Sequence, residues 1–221
     1  VVVGNPNFSV LKEAVVKAKL DGALKGSGPF TVFAPDNAAF ALANINSAFV
    51  AGASEAALSS LLLYHTLDAK ILAAGVPAGP NAKVNTKGGD SIFVTRNAAG
   101  VFVNGIKVAV ADIPADNGVI HQLSVALNKP SGNIVQTAQS VSGGDNGLDS
   151  LVVAVTAGGL GTILSGTVYT VFAPTNKAFR DLLTALSLPN IKSIPVADLT
   201  AVLTYHVTAA SAPSGLRVFS S

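Results

Sequence analysis

The chain has 221 residues, 49% of them hydrophobic and 12% charged, about half the roughly 25% charge of an average soluble domain. Apolar rather than charge-rich composition excludes disorder as the main state, and the absence of cysteine excludes disulfides, thiolate metal sites and cysteine nucleophiles. The net charge of +2 comes from scattered residues with no basic block interleaved with aromatics, so there is no nucleic-acid footprint, and no uncharged apolar run approaches the roughly 20 residues that cross a bilayer.

The chain opens at Val1-Val2-Val3 with no Met and no signal-peptide pattern, so the natural start is expected upstream. Ser9 reads as an N-cap, with Val10, Leu11, Ala14, Val15 and Ala18 following at helical spacing. Residues 30–34 read as a short strand ended by Pro35, and Asp36 or Asn37 as the cap of a following helix. Ser54 opens a helix with Leu58, Leu61 and Leu62 on one face. From Lys83 the pattern changes to period two, which predicts strands at 91–95, 101–104, 106–111 and 119–125. Asn104-Gly105 marks a tight hairpin, because both residues accept positive φ. Helices first and a mostly antiparallel sheet later predict an α+β class.

The sequence contains a repeat. The segment Thr31-Val32-Phe33-Ala34-Pro35-Asp36-Asn37-Ala38-Ala39-Phe40 recurs as Thr170-Val171-Phe172-Ala173-Pro174-Thr175-Asn176-Lys177-Ala178-Phe179. Leu58, Leu61, Leu62, Tyr64 and His65 recur as Leu199, Val202, Leu203, Tyr205 and His206, and Leu11, Ala14 and Val15 as Leu151, Ala154 and Val155. Collinear matches at such a long period predict two homologous globular domains rather than a solenoid. The Pro/Gly/Ser stretch Asn128-Lys129-Pro130-Ser131-Gly132 is the expected linker, giving domains at 1–129 and 130–221. The first domain begins too late to hold a counterpart of the helical stretch 134–138 before the second repeat. Aligning Val84 with Val218 implies that the second lacks its later sheet strands.

These motifs resemble the fasciclin domain family. The carriers are the repeated TVFAP segment, the Tyr-His pair at a helix end, and Asn117-Gly118-Val119-Ile120-His121. The last is similar to the family's second signature block, although Ser124 stands where an acidic residue is usual. The resemblance implies two tandem fasciclin domains, each a wedge-shaped, β-sandwich-like sheet with helices packed around it, the second incomplete. It implies a non-enzymatic protein, extracellular, cell-surface anchored or periplasmic, with adhesion, matrix or biofilm roles. The partner would be an extracellular protein or glycan bound through surface loops. Some members bind carotenoids or other apolar molecules, so an apolar-ligand carrier is the alternative. A structural subunit of a larger assembly, joined through the second domain, is a further one.

The candidate partner-binding residues are Asp112, Ile113, Tyr64, His65, Asp36, Asn37, Tyr205 and His206. Asp112-Ile113 resembles the core of an integrin-binding peptide in periostin-like members, and the Tyr-His region is implicated in integrin contact in animal members. The simpler readings stand beside these. Helical spacing puts His65 and His206 on buried faces, where a histidine must find hydrogen-bond partners; Asp112 before Pro114 reads as a turn. Phe33, Pro35, Phe40, His121, Phe172, Pro174 and Phe179 are the expected core. No nucleophile elbow, phosphate loop or metal-binding His pair is present, so no catalytic residue, metal or cofactor is assigned. Gly143-Gly144-Asp145-Asn146-Gly147 reads as a connection. Asn7-Phe8-Ser9 is a glycosylation sequon, meaningful only in a eukaryotic secretory host.

Overall fold

A computed structural model describes residues 4–79, 81–130, 132–166 and 169–209. The chain divides after Lys129 into two compact units. The alignment drawn at Val218 lies outside the described residues.

Unit 1 starts with helices α1 (Ser9–Lys17) and α2 (Asp21–Leu24), strand β1 (Phe30–Pro35), and helices α3 (Asn37–Leu42), α4 (Ser47–Gly52) and α5 (Glu55–Tyr64). The strands β2 (Thr66–Leu67), β3 (Ala82–Asn85), β4 (Ser91–Asn97), β5 (Gly100–Val103), β6 (Ile106–Ala115) and β7 (Gly118–Leu123) follow. Local chemistry sets the helix starts. The side chains of Asp36, Asn46 and Ser54 accept from the backbone N–H of Ala39, Phe49 and Ala57, at 2.8, 2.9 and 3.2 Å, each satisfying an orphan donor of the first turn. Asn104 and Gly105 have φ of 49° and 79°, and they join β5 to β6 in the expected hairpin.

The seven strands form one sheet in the order β2-β1-β7-β6-β5-β4-β3. All neighbours are antiparallel except β1 and β7, which run parallel from Phe30↔Gly118 to Pro35↔Leu123. Glycine is required at Gly118, where a Cβ would lie 2.1 Å from the Phe30 carbonyl oxygen. Alternation along β1 and β7 sends side chains to two cores. Ala34 and Ile120 face the helices, with Phe8, Leu11, Phe40, Leu58 and Leu62. Phe33 and Leu123 face the other side, with Tyr64, Ile92, Val94, Val103 and Leu127. Strand β6 runs beyond its expected end. An irregularity between Val110 and Ile113, with Asp112 at φ 58°, absorbs extra residues as a bulge does.

Unit 2 comprises α6 (Ile134–Ser140), α7 (Asp149–Ala157), α8 (Gly161–Gly166), β8 (Tyr169–Val171), α9 (Asn176–Ala185), α10 (Val196–Tyr205) and β9 (Val207–Ala209). Its core gathers Leu151, Ala154, Leu164, Phe179, Ile191, Leu199 and Leu203. Strand β8 pairs antiparallel with β9, as β1 pairs with β2; among the described residues no strand stands in the place of β7. The expected core positions accordingly separate. Phe33, Pro35, Phe40, His121 and Phe179 are buried. Pro174 is half-buried and Phe172 is 56% exposed, a correction of the expected core. Phe33 stacks on His121 of β7 at 5.5 Å between ring centres, and no described residue repeats that contact for Phe172.

Candidate functional site

The residues proposed for partner contact have distinct structural positions. Tyr64 and His65 are 1% and 2% exposed, which removes both from the surface and corrects the expectation of a contact there. The Tyr64 hydroxyl accepts from Asn104 Nδ2 at 3.0 Å. His65 Nδ1–H donates to the Leu61 carbonyl at 2.8 Å, and Nε2 accepts from the Leu127 N–H at 2.9 Å. Burial pushes this imidazole down to about 4 from its ordinary 6.5, against the opposing pull of the Leu61 bond.

Asp36 and Asn37 are half-buried and engaged within the fold. Asp36 Oδ1 caps α3 and Oδ2 accepts from Gln122 Nε2 at 3.0 Å. Asn37 caps not its own helix but α1: its Oδ1 accepts from the Val10 N–H at 3.1 Å, and its Nδ2 donates to the Pro6 carbonyl and to Ser9 Oγ, both at 3.0 Å. Asn176 repeats this in unit 2, accepting from the Ser150 N–H at 2.8 Å and donating to Gly144 O and Asp149 Oδ2. The Asn176 amide, then the Gly143 N–H, hold the Asp149 carboxyl below the usual carboxylate range. The asparagine shared by the two repeats is therefore a helix latch, and Ser9 is not the cap that its position suggested.

Asp112 is exposed, but its Oδ1 accepts from the Ala73 N–H at 2.8 Å. Its own N–H donates to His121 Nδ1 at 3.2 Å, while His121 Nε2–H donates to the Ile71 carbonyl at 2.8 Å. Ile113 packs against the helix-side core. In unit 2, Tyr205 is 89% exposed and Phe172 lies beside its neighbour His206, whose carbonyl accepts from the Phe172 N–H at 2.9 Å. His206 Nδ1–H donates to the Val202 carbonyl at 2.8 Å.

A second feature escapes sequence reading. Unit 1 holds a cavity of about 340 Å³ bounded by α1, α2, β1, the end of α5 and the start of β7. Its walls are Leu11, Val15, Leu24, Phe30, Val32 and Ile120, with Lys12, Asp21 and Lys25 also lining it. Several polar side chains in the walls are engaged with backbone groups. Besides His65, Thr66 Oγ1 donates to the Leu62 carbonyl at 2.9 Å. Asn117 Nδ2 donates to the Leu24 and Gly26 carbonyls at 2.8 and 2.7 Å. The wall is therefore mainly apolar. The period-two pattern at 30–34 puts Phe30 and Val32 on one face, but only the parallel pairing with β7 closes the wall. Among the described residues no group of three or more His, Asp or Glu side chains is placed to hold a metal ion, and no helix is long and apolar enough to cross a membrane.

Comparisons with known proteins converge on one family. A model of the fasciclin domain matches residues 6–129 and 146–216. Protein sll1483 of Synechocystis is 38% identical over 132 residues, 59% of this chain and 72% of that protein. Transforming growth factor-beta-induced protein ig-h3 of Sus scrofa is 33% identical over 131 residues, 59% of this chain but 19% of its own length. Human periostin is 29% identical over 79% of this chain and 20% of its own. A solved FAS1 domain pair from the insect cell adhesion molecule Fasciclin I aligns over 93% of this chain and 70% of that one, at 17% identity and a TM-score of 0.38.

Proposed function

The chain belongs to the fasciclin domain family, and from that premise we propose that it is a non-enzymatic adhesion or scaffold module, secreted or held at the cell surface, that binds an extracellular protein or glycan. The observation that carries this reading is the pair of fasciclin-domain matches, at 6–129 and 146–216, in a chain similar to ig-h3 and periostin.

The test is binding of the full chain to intact cells and to extracted matrix, with and without Asp112→Ala, the exposed candidate contact of unit 1. The reading expects at least a fivefold loss with the melting temperature retained. Unchanged binding, or none by the natural sequence, overturns it.

A further inference from the structure

We propose that Asn146 is a site of spontaneous deamidation, and that its main product, an isoaspartate that reroutes the main chain through the side chain, loosens the start of α9. This is a covalent change within unit 2 and does not depend on the adhesion reading.

The chain contains three Asn-Gly pairs, at 104–105, 117–118 and 146–147. Such a pair favours cyclisation, because glycine has no side chain to hinder its nitrogen. The structure restrains two of the three. Asn104 Oδ1 accepts from the Phe93 N–H at 2.9 Å, and its Nδ2 donates to the Tyr64 hydroxyl at 3.0 Å. Asn117 Nδ2 donates to the Leu24 and Gly26 carbonyls. Turning either side chain onto the following nitrogen breaks two hydrogen bonds. Asn146 is exposed, and among the described residues its side chain makes no hydrogen bond. The Gly147 N–H has no acceptor among them either, so the attacking nitrogen gives up no bond. Exposure here is common to both repeats: with Val10 and Ser150 as the matched helix starts, Asn146 corresponds to Pro6, which is exposed as well. The fold also keeps the reactive neighbour. A Cβ at Gly147 would press on the Gly143 carbonyl and lie 2.8 Å from Asn176 Nδ2.

The chemistry is a ring closure and a reopening. The Gly147 amide nitrogen, its proton taken by hydroxide, attacks Cγ of Asn146. The N–Cγ bond forms, the Cγ–Nδ2 bond breaks, and ammonia leaves with a proton from water. Water then opens the succinimide. Addition at the main-chain carbonyl of residue 146 gives isoaspartate, and addition at Cγ gives aspartate; nothing is oxidised or reduced. Isoaspartate inserts one methylene into the main chain between Asp145 and Gly147. The carbonyls of these two residues accept from the N–H of Lys177 and Asn176, at 3.0 and 2.8 Å, and Asp145 Oδ1 pairs with Arg180 at 2.6 Å. The added methylene shifts one carbonyl against the other, so the two no longer fit the first turn of α9 together.

Peptide mapping by mass spectrometry of the full chain, aged at pH 8, tests the site. Asn146 is expected to deamidate about thirtyfold faster than Asn104 or Asn117, the factor that two hydrogen bonds of ordinary strength supply. The Asn146 rate is expected to rise in proportion to hydroxide, and the three rates to converge once urea unfolds the chain. Hydrogen exchange tests the consequence. In aged protein the N–H groups of Asn176 and Lys177 are expected to exchange about fivefold faster or more, the loss of one hydrogen bond. Asn146→Ala is expected to keep both slow after the same ageing. Asn146→Asp, which adds the charge without the methylene, is expected to keep them slow from the start. Equal rates at the three asparagines of the folded chain overturn the site. Unchanged exchange in aged, isoaspartate-bearing protein overturns the effect on α9, and fast exchange in Asn146→Asp overturns the added methylene as its cause.

Discussion

Acidification is expected to destabilise unit 1 through a single side chain. His65 is sealed between the Leu61 carbonyl and the Leu127 N–H, and its second nitrogen must stay unprotonated to accept from Leu127. Its pKa falls from 6.5 to about 4 on burial. As the pH drops below 6.5 the unfolded chain takes up a proton that the folded chain refuses, so stability present above 6.5 is lost progressively until the folded pKa is reached. One pKa unit corresponds to about 1.4 kcal/mol, so the loss between pH 7.5 and pH 4 is about 3 kcal/mol. In urea, with a slope of roughly 2 kcal/mol per molar, the unfolding midpoint should fall by about 1.5 M. The assay is urea unfolding across this range for the natural sequence and for His65→Gln, which does not titrate. Subtracting the two isolates His65 from every other group. The carboxyl of Asp149, held low by Asn176, gives up its contribution only below its ordinary 3.8 and so falls outside the window. Parallel pH curves for the two proteins would refute the reasoning.

Further expectations follow from individual contacts. Asn37→Ala removes the acceptor of the Val10 N–H and two further hydrogen bonds, and should cost about 1–2 kcal/mol in thermal or urea melts; Asn176→Ala should do the same in unit 2. Tyr64→Phe, which loses the Asn104 bond in a buried site, should cost about 1 kcal/mol, while Tyr205→Phe should stay within about 0.5 kcal/mol. Gly118→Ala places a Cβ against the Phe30 carbonyl and breaks the central strand pairing. It should exceed about 4 kcal/mol, read as loss of soluble, cooperatively melting protein.

The sequence reveals local chemistry better than long-range pairing. The Asn104-Gly105 hairpin, the Ser54 cap and strand β1 are all readable because their causes lie within a few residues. The two-domain repeat and the family are readable because the TVFAP segment and the Tyr-His pair occur twice. Other features are not readable. The parallel seam between β1 and β7 joins segments whose patterns are equally compatible with antiparallel neighbours, and the cavity behind that seam inherits the ambiguity. Asn37 reads as a local cap, since nothing at position 37 announces a helix start at Val10. Asp112 reads as the end of a strand, because a bulge leaves the same signature as a turn: a short polar residue that tolerates positive φ before a proline. Phe172 has the same immediate neighbours as Phe33, so its exposure cannot be inferred from them.

The parallel seam also sets a timetable for synthesis. Phe30 waits for Gly118, 88 positions later in the register, before the inner side of β1 gains its partner. At roughly 5–20 residues per second that interval is about 4–18 seconds, during which the Phe30-Thr31-Val32-Phe33 segment leaves the ribosome with an open strand edge. Such non-local closure slows folding, and an apolar edge in waiting is prone to pairing with the wrong chain. A nascent chain of this design needs either an escort over that interval or delivery to its destination before β7 arrives.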